Sequence, residues 1–117
     1  MRQSRRTARL SDLLIQEISL ILRRSVKDPR IQGVTLTRVR VSSDLRHARV
    51  YYSVIGEPGR EQTAGDGLES AKGLIKREIG RSLKLRYMPE IHFFFDDTLQ
   101  YAEHIQRLLK KIEPPAS

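Results

Sequence analysis

No cysteine occurs among the 117 residues, which excludes disulfides, thiolate nucleophiles and cysteine-ligated zinc and fits a reducing compartment. Nowhere does an apolar run approach the roughly 18 residues needed to cross a bilayer, and the chain does not open on the continuous apolar segment of a secretory signal. A soluble, cytoplasmic protein without a membrane partner is therefore expected. Acidic side chains are also short in supply: 14 Asp and Glu stand against 22 Lys and Arg, a formal net charge of +8. Such an imbalance points to a polyanionic partner, nucleic acid first, with an anionic membrane surface as the competing target.

Catalytic constellations are missing as well. His47, His92 and His104 are scattered singly, without the spacing of a metal site, and there is no P-loop. Asp96-Asp97 is the one adjacent carboxylate pair, but consecutive residues at a strand end point apart and suit a turn or helix cap better than acid–base work. No catalytic residue, metal ligand or cofactor is assigned, and a non-enzymatic protein is expected.

What is present fits one domain, with 1–6 as a basic N-terminal arm, 7–112 as the folded unit and 113–117 as a short tail. From Thr7 to Val26, Leu10, Leu13, Leu14, Ile18, Ile21 and Leu22 recur at three- and four-residue steps, which predicts a helix stopped by Lys27-Asp28-Pro29-Arg30. Residues 33–42 are rich in Val and Thr, with Val34 and Leu36 on one parity and Val39 and Val41 on the other, so a strand with a bulge near Thr37 is expected. Ser43-Asp44-Leu45-Arg46 supplies a turn, and Ala48, Val50, Tyr52 and Val54 alternate as a second, antiparallel strand. After Gly56-Glu57-Pro58-Gly59 a polar connection is expected to run to about Asp66, followed by a helical region over 67–86. Ile91, Phe93 and Phe95 alternate as a third strand, and Asp97 or Thr98 is expected to cap a last helix containing Leu99, Ile105, Leu108, Leu109 and Ile112. A right-handed crossover would place strands two and three in parallel, giving an α+β fold with a mixed three-stranded sheet and helices on one face.

The helical region 67–86 raises a question of its own. Gly73 in a straight helix costs about 1 kcal/mol relative to alanine. Ala71-Lys72-Gly73 would let two short helices meet at a kink, or would let helices pack closely. Residues 71–86 hold six cations, Lys72, Lys76, Arg77, Arg81, Lys84 and Arg86, against Glu78 alone. Like charges so placed repel one another unless a polyanion neutralises them. These six are the candidate phosphate contacts. Arg2, Arg5, Arg6 and Arg9 form a second basic group, to be read as an arm ordering on RNA or as a solvated terminus. Arg23, Arg24, Lys27 and Arg30 form a third at the end of the first helix, where cations also complement the helix dipole. Arg38, Arg40, Arg46 and Arg49 lie on or near the hairpin, to be read as an extension of the basic face or as keeping an exposed sheet soluble; Tyr51 and Tyr52 have opposite parities, so at least one is available for base stacking, with Tyr52, like Phe93 and Phe95, expected to pack in the core.

The element order resembles a type II KH domain, α-β-β-α-kink-α-β-α, with the usual Gly-x-x-Gly replaced by Ala71-Lys72-Gly73. Together with Lys27-Asp28-Pro29-Arg30, Val41-Ser42-Ser43-Asp44-Leu45, Leu85-Arg86-Tyr87-Met88-Pro89-Glu90-Ile91 and Phe93-Phe94-Phe95-Asp96-Asp97, the chain is similar to the bacterial ribosome-binding factor A family over about residues 5–110. That resemblance implies a factor that binds the small (30S) ribosomal subunit and 16S rRNA late in maturation. It also implies a link to processing of the 16S 5′ end and to cold adaptation, and work beside assembly GTPases. A monomer is expected. The alternative from the residues alone is a general nucleic-acid or protein-binding module without subunit specificity. The short tail gives no counterpart to functions placed in a long C-terminal extension.

Overall fold

The computed structural model describes residues 4–98 and 105–110. Helix α1 spans Arg5–Arg24, a 3-10 turn covers Pro29–Ile31, and strands β1 (Val34–Val41) and β2 (His47–Val54) follow. Helix α2 spans Arg60–Leu83 and strand β3 Glu90–Phe95; residues 105–110 are again helical. The sheet order is β1-β2-β3, with β1 antiparallel and β3 parallel to β2, so the mixed sheet expected from the crossover rule is observed.

Both helices lie on one face of that sheet. Leu14, Ile18, Ile21 and Leu22 of α1 meet Val39, Val41, Ala48, Val50 and Ile91 of the strands and Leu68, Ile75 and Ile79 of α2 in one buried cluster. Truncating a wholly buried member such as Ile75 to alanine would cost about 2–5 kcal/mol. The parity switch in β1 has the cause inferred from the sequence. Leu36 pairs with Tyr52 and Arg38 with Tyr51, leaving Thr37 as the extra residue of a bulge. Without it Val34 and Leu36 could not share a face with Val39 and Val41.

Three boundaries depart from expectation. Helix α1 begins at Arg5, because Ser4 caps it: its hydroxyl accepts from the Thr7 amide at 3.1 Å. Arg5 and Arg6 therefore sit in the first helical turn rather than in an arm, and Arg2 lies outside the described residues. Helix α2 begins at Arg60, so the supposed polar connection is its first two turns. The signal there is small rather than greasy: Ala64 and Gly67 occupy the buried face one and two turns ahead of Ala71. Finally, α2 is helical without interruption through Ala71-Lys72-Gly73, one element where two short helices were expected. Helical hydrogen bonding persists because Ala71 fits the buried face and Gly73 meets open space.

The glycines that packing does require are Gly65 and Gly67. A Cβ on Gly67 would stand 2.9 Å from Arg30 Cβ and Ile31 Cγ2, and one on Gly65 would stand 2.7 Å from the Tyr52 hydroxyl. That hydroxyl donates to the Glu61 carbonyl at 3.0 Å, tying α2 to the sheet. Burial pushes the Tyr52 phenol up, and the charges of Glu61, Asp66 and Glu69 push it the same way.

Candidate nucleic-acid interface

At about 100° per residue, Gly73, Arg77, Arg81 and Lys84 fall in one stripe along α2, opposite the buried Leu68, Ala71, Ile75 and Ile79. Ser70 extends that exposed stripe towards the N-terminus. Lys84 closes the helix in a left-handed conformation, φ 47°, and Arg86 follows with its guanidinium 5.5 Å from the Tyr87 ring centre. Arg77, Lys84 and Arg86 have no ion pair among the described residues. Arg81 meets Glu78 loosely, at 3.6 Å.

Lys72 and Lys76 lie apart from the stripe, on the flank of α2 that faces β3. Lys76 bridges to Glu90 at 2.8 Å, holding that carboxyl below its usual range. Lys72 bridges to Glu69 at 2.8 Å and sits 6.0 Å from the Phe93 ring centre. The six cations expected to act together are thus divided: Arg77, Arg81, Lys84 and Arg86 towards solvent, Lys72 and Lys76 already engaged with acids. Surface pairs of this kind are worth roughly 0–1 kcal/mol, so a phosphate can compete for either lysine.

The other basic groups bracket this helix. Arg6, Arg9, Leu10 and Leu13 line a cleft of about 450 Å³ shared with Leu45, Arg86 and Tyr87. Leu13, one of the apolar positions that predict α1, is 42% exposed there. Arg6 and Arg9 are therefore brought beside Arg86 at the C-terminal end of α2. At the opposite end Arg30 is structural. Its guanidinium is forked onto Asp28 at 2.7–3.1 Å and reaches the Ser70 hydroxyl at 3.2 Å. Asp28 also accepts from the Arg30 amide, capping the 3-10 turn, and the Arg30 pairing holds its carboxyl below the usual range. Arg23, Arg24 and Lys27 nearby are exposed.

Sequence reasoning missed Arg60 and the histidine pair. Arg60 donates to the Arg30 carbonyl at 3.1 Å and to the Gln32 carbonyl, fastening the 3-10 turn to the start of α2. Nothing in a local pattern signals such a long-range link. His47 and His92, read as isolated, share a hydrogen bond of 3.1 Å across β2 and β3. The parallel register that sets Arg49 opposite His92 brings them together. Among the described residues no group of three or more His, Cys, Asp or Glu side chains could hold a metal, and no helix is long and apolar enough to cross a membrane.

Asp96 and Asp97 do not converge on a site. Asp96 accepts from the Thr37 hydroxyl at 2.7 Å and the Thr98 amide at 3.0 Å, and the helix that Asp97 or Thr98 is expected to cap continues into residues outside those described. The Thr98 and Thr37 side chains with the Thr98 amide hold the Asp96 carboxyl down to about 2, unsuited to taking up protons near neutrality. Leu99 and Ile112 of the expected last helix lie outside the described residues.

Fold and surface together define a type II KH-like α+β domain whose exposed helix and its flanks are basic. Residues 6–109 match the model of the family described as ribosome-binding factor A. The chain is 47% identical over 108 residues to a ribosome-binding factor A of Halothermothrix orenii, covering 92% of this chain and 88% of that one. It is 40% identical over 114 residues to that of Desulfatibacillum aliphaticivorans, covering 97% and 93%. Among solved structures, a Thermotoga maritima protein described as a putative ribosome binding factor A superposes with TM-score 0.70 at 33% identity, covering 80% of this chain and 90% of that one. The crystal structure of ribosome-binding factor A from Thermus thermophilus gives 0.68 at 25% identity, covering 75% and 93%. The chain belongs to the ribosome-binding factor A family.

Proposed function

We propose that this protein binds the 30S subunit through 16S rRNA during late maturation, acting as an assembly factor by binding alone, without catalysis or a cofactor. The observation that carries the reading is the stripe of Gly73, Arg77, Arg81 and Lys84. It offers three cations and an unobstructed backbone on one side of a continuous helix, prolonged by Arg86, Arg6 and Arg9. Such an array meets phosphates by shape and spacing rather than by base sequence. Lys72 and Lys76 join once phosphate displaces Glu69 and Glu90, and exposed Arg23, Arg24 and Lys27 supply contacts at the far end. A homology model of the Thermus thermophilus ribosome binding factor A, of the same fold with TM-score 0.58 at 24% identity, was fitted into a map of its complex with the 30S subunit, and by analogy the 30S subunit is the target here. Roles in 16S 5′ processing and cold growth, cytoplasmic work as a monomer and action beside assembly GTPases complete the proposal.

Sedimentation with immature small subunits, mature large subunits and duplex DNA at one salt concentration tests it. Preferential co-migration with immature small subunits is expected, and Arg77→Glu with Arg81→Glu should abolish it while the thermal melt stays within a few degrees. Equal affinity for all three would leave a charge-driven module without subunit specificity, because electrostatics alone treats them alike.

A further inference from the structure

The face of the sheet turned away from both helices carries a second set of groups suited to RNA. Tyr51 and Phe94 stand in register on β2 and β3, ring centres 5.7 Å apart and planes inclined by 31°. Arg38 lies 4.1 Å over the Tyr51 ring, occupying that ring and holding it in place. Phe94 is left as the open platform, 44% exposed, which is uncommon for a phenylalanine without a partner. Beside it a cleft of about 470 Å³, within the range of small-ligand sites, is lined by Arg40, Arg49, His47 and His92 with Phe94. The hydrogen bond between the two histidines fixes their rings there.

Charge decides what would cover this face. Arg40 and Arg49 stand opposite each other in the β1–β2 register and have no ion pair among the described residues. Across the three strands Glu90 is the one acidic residue, and its carboxylate is taken by Lys76. Asp96, just past β3, is bound by Thr37 and Thr98. An aromatic platform beside unneutralised arginines is the arrangement by which proteins hold unpaired nucleotides, the ring taking a base and the guanidinium groups the neighbouring phosphates. A duplex, its bases already stacked, cannot use it.

We infer that the open sheet face is a second RNA surface that takes a short unpaired segment, one base on Phe94 and its phosphates on Arg40 and Arg49. This extends the proposed rRNA binding and rests on it: α2 would grip backbone by shape, while the sheet would hold a strand released from pairing.

The test uses the full chain and fluorescence anisotropy with a labelled single-stranded RNA about eight nucleotides long and a duplex of equal length. Phe94→Ala should weaken single-strand binding roughly tenfold and leave duplex binding nearly unchanged, and Phe94→Tyr should restore it. Arg40→Glu with Arg49→Glu should weaken it further and flatten its salt dependence by more than one unit on a log–log plot. Unchanged single-strand affinity in Phe94→Ala, with the wild-type melting temperature, would overturn the inference. So would a concentration-dependent sedimentation shift in the wild type that Phe94→Ala removes, since the face would then join two copies of the chain. Failure of the subunit reading appears differently, as equal binding to small and large subunits with the oligonucleotide results intact.

Discussion

Gly73→Ala separates the mechanical from the functional reason for a glycine in α2. The residue lies in a helical stretch without positive φ, and a Cβ built on it meets nothing within 4 Å. Neither crowding nor backbone conformation therefore opposes alanine. The substitution should return the propensity difference, about 1 kcal/mol of added stability. For a domain of this length that raises the melting temperature by about 3–6 °C. On the same stripe sit Arg77, Arg81 and Lys84, so the methyl would also stand between the helix backbone and any phosphate those cations hold. Association with small subunits should weaken by a few-fold while the protein becomes harder to melt. Circular dichroism melts and quantitative sedimentation on one preparation read both effects. A lower melting temperature would refute the reasoning, because it would mean that the glycine serves a contact or conformation that its open, helical position does not require. A higher one with undiminished association would leave the backbone out of the interface.

Gly67→Ala should act in the opposite sense. Its Cβ would press on Arg30 Cβ and Ile31 Cγ2 at 2.9 Å, and overpacking of about 1–3 kcal/mol should outweigh the propensity gain, lowering the melting temperature. Arg60→Ala removes donors to the Arg30 and Gln32 carbonyls and should cost about 1–3 kcal/mol by urea titration; equal stability would dismiss that clamp. Asp96 is ionised more readily in the folded chain, so its contribution is complete above the unfolded value near 4 and fades as pH falls through about 2. Asp96→Asn should flatten the loss of stability across that acid window, and an unaltered pH profile would contradict the hydrogen bonds to Thr37 and Thr98.

Legibility of this chain followed the kind of force at each place. Elements whose burial alternates with large apolar side chains were readable, and so was the Thr37 bulge, because a change of parity between Leu36 and Val39 admits few other geometries. The first turns of α2 were not. Ala64 and Gly67 are buried without being recognisably hydrophobic, and what Gly67 packs against, Arg30 and Ile31, lies more than thirty residues away. The division into two helices failed for a related reason: a glycine's helix penalty is visible in sequence, but the open space that makes it tolerable is not. At the candidate interface the basic character of α2 was legible and its division was not. Helical spacing separates Lys72 and Lys76 from Arg77 and Arg81, yet only the position of β3 places Glu90 within 2.8 Å of Lys76. The sheet face was half legible: opposite parities of Tyr51 and Tyr52 announced one outward ring, whereas Phe94 and the histidines joined it through the parallel register.

Those same pairings bear on how tightly the α2 surface should hold RNA. A phosphate that meets Arg77, Lys84 or Arg86 displaces only mobile counterions, and each such contact adds about 0.7–0.9 to the slope of log affinity against log salt. A phosphate that takes Lys76 must first part it from Glu90, leaving that carboxylate beside the incoming anion. The lysine's gain is then offset by a new repulsion, and its removal should matter less than its charge suggests. Lys76→Ala should accordingly reduce subunit association by less than Arg77→Ala does, while Glu90→Gln should strengthen it and leave the fold intact, since Glu90 is exposed and its neighbour Ile91 carries the packing. Stronger damage from Lys76→Ala than from Arg77→Ala, measured by sedimentation at matched salt, would place the RNA along the β3 flank of α2 and not along the outer stripe.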